Sequence, residues 1–255
     1  MSAVSVAVKV RRALRRGPRA GKNVAVHAPA TFDPGLAALL ERAHALVGTT
    51  VGDLATSLGL SSTGDAVRTK GTPGAILEAA LGATGGSSKV HDFPELGVEL
   101  KTIPVDLRGV PVESTYVCTL SLADAETQEW EDSWVRAKLA RVLFVPLVAA
   151  DGEPWPARRI ATPVLWSPTP EQDSVLRADF DDVVGLVGVG RIEELTAHRG
   201  RWLQVRPKAA HGRVRTVAFG AEGEAIATIP RGFYLRTRFT GAILQDPRAL
   251  PDESP

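Results

Sequence analysis

Apolar residues recur at helical spacing in Leu36, Leu39, Leu40, Ala43 and Val47, directly after Asp33-Pro34. The run predicts a first helix capped by Asp33, with Pro34 at the first helical position, where its missing N–H is no loss. A second helix opens at Thr50. A third runs from a Thr72 cap through Pro73 to a stop at Gly82. Residues 84–88 read as a loop, and the pattern then turns strand-like at 96–105, 114–122 and 141–148. Residues 134–139 read as helix. Thr169-Pro170 starts a longer helix reaching about Gly188, residues 201–207 and 214–219 look like strands, and helix returns near Thr240. Helices alternating with few strands, without an internal repeat, indicate a mixed α/β fold.

The chain has 255 residues, enough to bury a good core in one domain or two packed lobes. No run of eighteen apolar residues occurs, so no membrane span is expected. One cysteine, Cys118, excludes an internal disulfide and a Cys-rich zinc site and fits a reducing cytoplasm. The net charge of +1 says little, but the charge is unevenly placed. Residues 1–32 are basic without a single acid, which predicts a solvated, disordered tail or an upstream start codon assigned in error, with a DNA-tethering arm as the alternative. An ordered region over 33–246 is expected, with a frayed tail at 247–255. Arginine outnumbers lysine about threefold, and only seven lysines occur. A chain that defaults to arginine can reserve lysine for places needing a compact ammonium.

The candidate chemistry lies in His91-Asp-Phe-Pro-Glu-Leu-Gly-Val-Glu-Leu-Lys101. On a strand, Glu99 and Lys101 point to one side while Val98 and Leu100 point into the core. Asp92 lies just upstream, beyond a turn marked by Pro94. Two carboxylates and an ammonium can therefore converge at a strand end. Phosphodiester hydrolysis uses that set: carboxylates hold a hard divalent cation such as Mg²⁺, and a lysine orients water or steadies developing charge. Glu78 is the only charge in an otherwise apolar helix and can either face solvent or bring a third carboxylate. Lys138 sits on a short basic helix whose simplest reading is a solvated face. From Arg199 to Arg215 there are six basic residues and no acid, as in a phosphate-binding surface or a solvated basic hairpin.

Several words, in order from about residue 35 to 246, resemble the MutH family of mismatch-repair endonucleases. They are Gly74-Ala-Ile-Leu-Glu78, Leu81-Gly-Ala83, Asp92-Phe93, Leu96-Gly-Val-Glu-Leu-Lys-Thr-Ile-Pro-Val105, Trp134-Val-Arg-Ala-Lys138-Leu, Leu165-Trp-Ser-Pro168, Leu203-Gln-Val-Arg-Pro-Lys-Ala-Ala210 and Pro230-Arg-Gly-Phe-Tyr-Leu235. The resemblance implies a restriction-endonuclease-like mixed sheet flanked by helices, with a catalytic lobe at about 33–150 and a DNA-reading lobe at about 160–246 around a cleft. It implies Asp92, Glu99 and the Leu100 carbonyl as ligands of Mg²⁺, with Mn²⁺ as a substitute, and Lys101 as the catalytic lysine. Glu78 and Lys138 match further active-site positions. Lys70, Tyr116, Arg206, Pro207, Lys208 and Tyr234 match DNA contacts, Tyr234 beside the adenine whose methylation is sensed. The activity implied is nicking of the unmethylated strand 5′ to G in GATC, switched on by MutL with MutS upstream.

Three functions remain open at this point. The first is a monomeric nicking enzyme. The second is a GATC-cutting type II restriction endonuclease acting as a dimer. The third is a DNA-binding module without catalysis. One motif copy without a repeat favours nicking, and the complete Asp92/Glu99/Lys101 set argues against a dead module.

Overall fold

The computed structural model describes residues 33–60, 72–85, 90–124, 128–209, 211 and 213–252. The basic stretch 1–32 and Lys70 lie outside them. Among the described residues no helix is long and apolar enough to cross a membrane.

Six helices are described: α1 (Pro34–Ala45), α2 (Val51–Ser57), α3 (Thr72–Leu81), α4 (Trp134–Leu139), α5 (Pro170–Gly188) and α6 (Thr237–Gln245). Their starts follow local chemistry. Thr50 accepts a hydrogen bond from the Asp53 amide at the head of α2. Thr169 and Gln172 form a reciprocal capping box at the head of α5. Gly82, in the left-handed region at φ 77°, follows the end of α3 as expected.

The strands are β1 (Glu99–Val105), β2 (Thr115–Leu120), β3 (Val142–Val148), β4 (Arg159–Ile160), β5 (Val164–Trp166), β6 (Leu203–Pro207), β7 (Thr216–Phe219), β8 (Ala225–Thr228) and β9 (Arg231–Leu235). In the first sheet β3 is central. It pairs in parallel with β1, from Glu99 opposite Val142 to Val105 opposite Val148. Its other edge carries β5 and then β4, both antiparallel. A continuous run such as Val142-Leu-Phe-Val-Pro-Leu-Val148 suits a strand covered on both faces. One face, with Leu100, Leu143, Val145 and Leu147, packs under α1, α2 and α3. The other, with Ile103, Val105, Val142 and Phe144, joins the larger core.

The second sheet is antiparallel in the order β2-β9-β6, and β7 and β8 form a separate hairpin. Helix α5 lies on the second sheet, with Phe180 stacked on Phe233 at 5.7 Å. The division expected between two consecutive lobes is crossed twice. β2, from the first half, pairs with β9, and β4 and β5, from the second, complete the sheet of β1. Strand pairing needs only complementary edges, so the chain weaves between sheets without a boundary in sequence.

Expected fraying from Pro247 is also replaced by contacts. The Gln172 amide donates to the carbonyls of Pro247 (3.1 Å) and Ala249 (2.8 Å), and Trp202 Nε1 donates to that of Pro251 (3.3 Å). Gln172 is fully buried, so these bonds satisfy an amide that would otherwise lack water.

Candidate active site

The turn before β1 places the acidic residues. Phe93 is buried and its backbone bonds reciprocally to Val98, closing a loop over the short helical turn Pro94–Leu96. Gly97 reverses the chain at φ 59°. Asp92 thereby returns to the head of β1, where one carboxylate oxygen accepts the Leu100 amide at 2.7 Å. From behind, the amides of Thr84 and Gly85 donate to the Asp92 carbonyl at 3.0 Å each. A side chain at Gly85 would strike the His91 carbonyl, so that approach requires glycine.

Glu99 and Lys101 share one face of β1, as strand alternation predicts. That face continues into core at Ile103 and Val105, and Glu99 is accordingly buried, at 3% exposure. Its two carboxylate oxygens are held separately. Lys101 Nζ donates to Oε1 at 2.9 Å and Lys138 Nζ to Oε2 at 2.6 Å. The lysines differ: the Lys101 side chain is 19% exposed and that of Lys138 only 5%. Lys138 also donates to the Val90 carbonyl at 2.7 Å, and its ammonium lies 5.1 Å from the Trp134 ring centroid. Lys138 is therefore buried, not on the solvated face that its helix suggests when read alone. Helix α4 is short, Ser133 caps it by accepting the Arg136 amide, and its inward face delivers Lys138 to Glu99. His91, which the sequence reading left without a role, steadies this helix. Its Nε2 donates to the Ala137 carbonyl at 2.8 Å and its ring packs on Trp134.

Glu78 projects from the middle of α3 toward the same group. Burial raises its pKa first, and the nearby charges of Asp92 and Glu99 raise it further against the opposing pull of Lys101 and Lys138. Burial likewise raises that of Asp92, and Glu99 adds to it, while the Leu100 amide and the two ammoniums pull it down. Three carboxylates thus face two ammoniums, and two of the three are disfavoured as anions. Such a set welcomes further positive charge. Among the described residues no three His, Cys, Asp or Glu side chains cluster closely enough to cage an ion alone. A divalent cation here would therefore draw on fewer than three such side chains and complete its shell with other oxygens, such as water and phosphate. Mg²⁺ is commonly bound that way.

The second sheet gathers most of the remaining predicted residues on one surface. Along β2-β9-β6, Tyr116, Tyr234 and Gln204 stand in one row, with Gly232 opposite Arg206 in the next. Directly opposed residues share a face, so Tyr116, Tyr234, Gln204 and Arg206 all point away from Phe233, Val205 and Leu235 in the core. Tyr116 and Tyr234 meet edge to face at 5.3 Å, and burial and Tyr116 raise the pKa of the Tyr234 phenol. Lys208 Nζ lies 4.4 Å from the Tyr116 ring centroid. Arg206, Pro207 and Lys208 are exposed. Ser114, unremarked in the sequence, accepts from Gln204 (2.8 Å) and Arg206 (2.9 Å) and fixes that arginine.

The acid-free segment 199–215 is not uniformly available. Arg199 pairs with Glu194 and Asp182. Arg201 lies over Trp202 and donates to the Pro251 carbonyl. Asp179 was also missed. Its buried carboxylate accepts the amides of Arg201, Trp202 and Leu203 at 2.6–2.8 Å and anchors β6 to α5. Its only sequence signal is an acid on the apolar stripe of that helix.

A family model described as "DNA mismatch repair enzyme MutH" matches residues 81–179, which include Asp92, Glu99, Lys101, Tyr116 and Lys138. The DNA mismatch repair protein MutH of Serratia proteamaculans is 47% identical over 206 residues, 81% of this chain and 90% of that protein. The protein of the same name from Salmonella paratyphi B is 48% identical over 208 residues, 82% of this chain and 90% of its own length. With that identity across nearly the whole length of its relatives, and a mixed α/β architecture of the restriction-endonuclease-like kind, the chain belongs to the MutH family of DNA mismatch repair enzymes.

Proposed function

We propose that this protein is a DNA endonuclease of methyl-directed mismatch repair that nicks the unmethylated strand 5′ to G at hemimethylated or unmethylated GATC. The observation that carries the catalytic half of this reading is Glu99, held between two lysines beside Asp92 at the head of β1. Asp92, Glu99 and the Leu100 carbonyl would hold Mg²⁺, or Mn²⁺ in its place. Such a cation, when bound, supplies charge to the scissile phosphate and makes water more acidic. Lys101, the more exposed ammonium, orients the attacking water and steadies negative charge as it develops. Lys138 keeps Glu99 aimed. Glu78 adds a third carboxyl group beside them.

The surface of Arg206, Pro207, Lys208, Tyr116 and Tyr234 suits the reading of DNA. Arginine and lysine donate to guanine O6 and N7, and GATC presents one guanine on each strand. A tyrosine ring against adenine N6 registers the bulk of a methyl group. Activation by MutL, with MutS upstream, and action as a cytoplasmic monomer complete the proposal.

One oligonucleotide duplex, made unmethylated, hemimethylated and fully methylated, tests the reading with Mg²⁺ and with excess EDTA. Nicking of the unmethylated strand in the first two forms, absent with EDTA, is expected. Cleavage in EDTA, or equal cleavage of all three forms, overturns it. Linear product from supercoiled plasmid would identify a dimeric double-strand cutter instead.

A further inference from the structure

We propose that Thr119 is a positioning residue of the DNA-reading surface: its hydroxyl fixes the Tyr116 ring, and that ring seats the Lys208 ammonium. The inference rests on the function proposed above and names a residue through which its specificity is set.

Residues three apart on a regular strand face opposite sides. Tyr116 and Thr119 nevertheless face the same side, because β2 carries a bulge between Tyr116 and Cys118. Tyr116 lies opposite Tyr234 and Thr119 opposite Gly232, two positions of one face of β9. The extra residue shifts the alternation by one. The Tyr116 hydroxyl then lies 2.9 Å from Thr119 Oγ1. Gly232 leaves room for the arrangement, since a Cβ there would come within 2.9 Å of the Tyr116 ring. The ring is therefore held on three sides, by Thr119 at its tip, Gly232 beneath it and the edge contact with Tyr234.

Lys208 needs such a seat. It lies just past the end of β6, with an exposed side chain, and its backbone amide donates to the Pro230 carbonyl at 2.7 Å. A lysine free in solvent loses much rotamer entropy when it meets a ligand. A ring face 4.4 Å from Nζ limits that freedom beforehand and sets which groove atoms the ammonium can reach. Thr119 is itself exposed and belongs to neither hydrophobic core. Its hydroxyl therefore has little to do with stability.

The test is Thr119→Val, which keeps the side-chain shape and removes the hydrogen bond. With the GATC duplex in steady-state nicking, KM should rise about two- to fivefold, the scale of an exposed cation–π contact. The preference for GATC over a site altered at one base pair should fall by a similar factor, with kcat held. Thr119→Ser should restore both. In a Lys208→Ala background, Thr119→Val should change nothing further, a coupling that general loosening of the sheet would not produce. Wild-type protein is assayed first, and its failure to nick GATC defeats the function on which the inference rests. If wild type nicks and Thr119→Val retains the wild-type KM and preference, the positioning role is overturned. It is equally overturned if Thr119→Val has its full effect in the Lys208→Ala background.

Discussion

The two lysines on Glu99 should respond differently to loss of charge. Lys138→Met keeps the length of the side chain and removes its ammonium. The variant leaves a carboxylate of 3% exposure with Lys101 alone and strips the Val90 carbonyl of its donor. Removing one partner of a buried ion pair destabilises by about 3–5 kcal/mol when the other charge is left uncompensated. Lys101 still holds Oε1, so the lower end applies, about 3 kcal/mol. At roughly 2–4 °C per kcal/mol for a domain of this size, Tm should fall by about 6–12 °C. Lys101→Met removes a single bond from a side chain that is 19% exposed and leaves Glu99 with the more deeply buried Lys138, so its effect should be smaller than that of Lys138→Met. Thermal unfolding of both variants at one pH and salt gives the comparison. The double variant Glu99→Gln/Lys138→Met should lose less than the two single losses added, because the orphaned charge is gone. A Lys138→Met protein melting within about 2 °C of wild type, or no more affected than Lys101→Met, would refute the claim that Lys138 balances Glu99.

Lys101→Ala should abolish nicking while GATC binding, measured by gel shift in Ca²⁺, stays within a few-fold; normal cleavage would remove Lys101 from the mechanism. Tyr234→Ala should narrow the rate gap between hemimethylated and fully methylated GATC, by a factor worth no more than roughly 1–3 kcal/mol, the scale of one base contact. Lys208→Ala should slow cutting of every form alike, and single-turnover nicking of the three duplexes separates the two effects. Burial pushes the Cys118 thiol up to about 12, against the weaker pull of Lys101 and Lys138, so a disulfide reagent at pH 8 should react only after unfolding. Because this pKa is raised on folding, the stability linked to it is present below about pH 9 and declines as pH climbs toward 12. Rapid labelling of the native protein would contradict the burial.

Much of the site was legible because its chemistry is local. Asp92, Glu99 and Lys101 lie within ten consecutive residues, and strand alternation alone puts Glu99 and Lys101 on one side. Thr72-Pro73, which open helix α3, and the Thr169 cap before Pro170 likewise mark helices α3 and α5. What the sequence hid depends on pairing. Strand β9 is five residues long and includes a glycine, so it carries little strand signal until β2 and β6 are placed on either side of it. Lys138 reads as solvated because nothing in its helix announces a carboxylate that lies 39 residues upstream in the chain. Arg199 reads as a phosphate ligand because Asp182, one of its acidic partners, lies outside the acid-free window. For β9 and Lys138 the deciding neighbour is near in space and distant in sequence.

The bulge in β2 also bears on how the length of this strand can vary. Val117 and Cys118 are consecutive, yet both are buried, and together they occupy the slot opposite Phe233. Removing Val117 would close the ladder while leaving Tyr116 and Thr119 on the faces they now hold, at the expense of packing. Removal of a residue from an interior position outside this pair would turn one flank over and send a core side chain into solvent. A single-residue gap between related chains is therefore admissible at the bulge, and an alignment that places one elsewhere in β2 misassigns the face of every residue on one side of it.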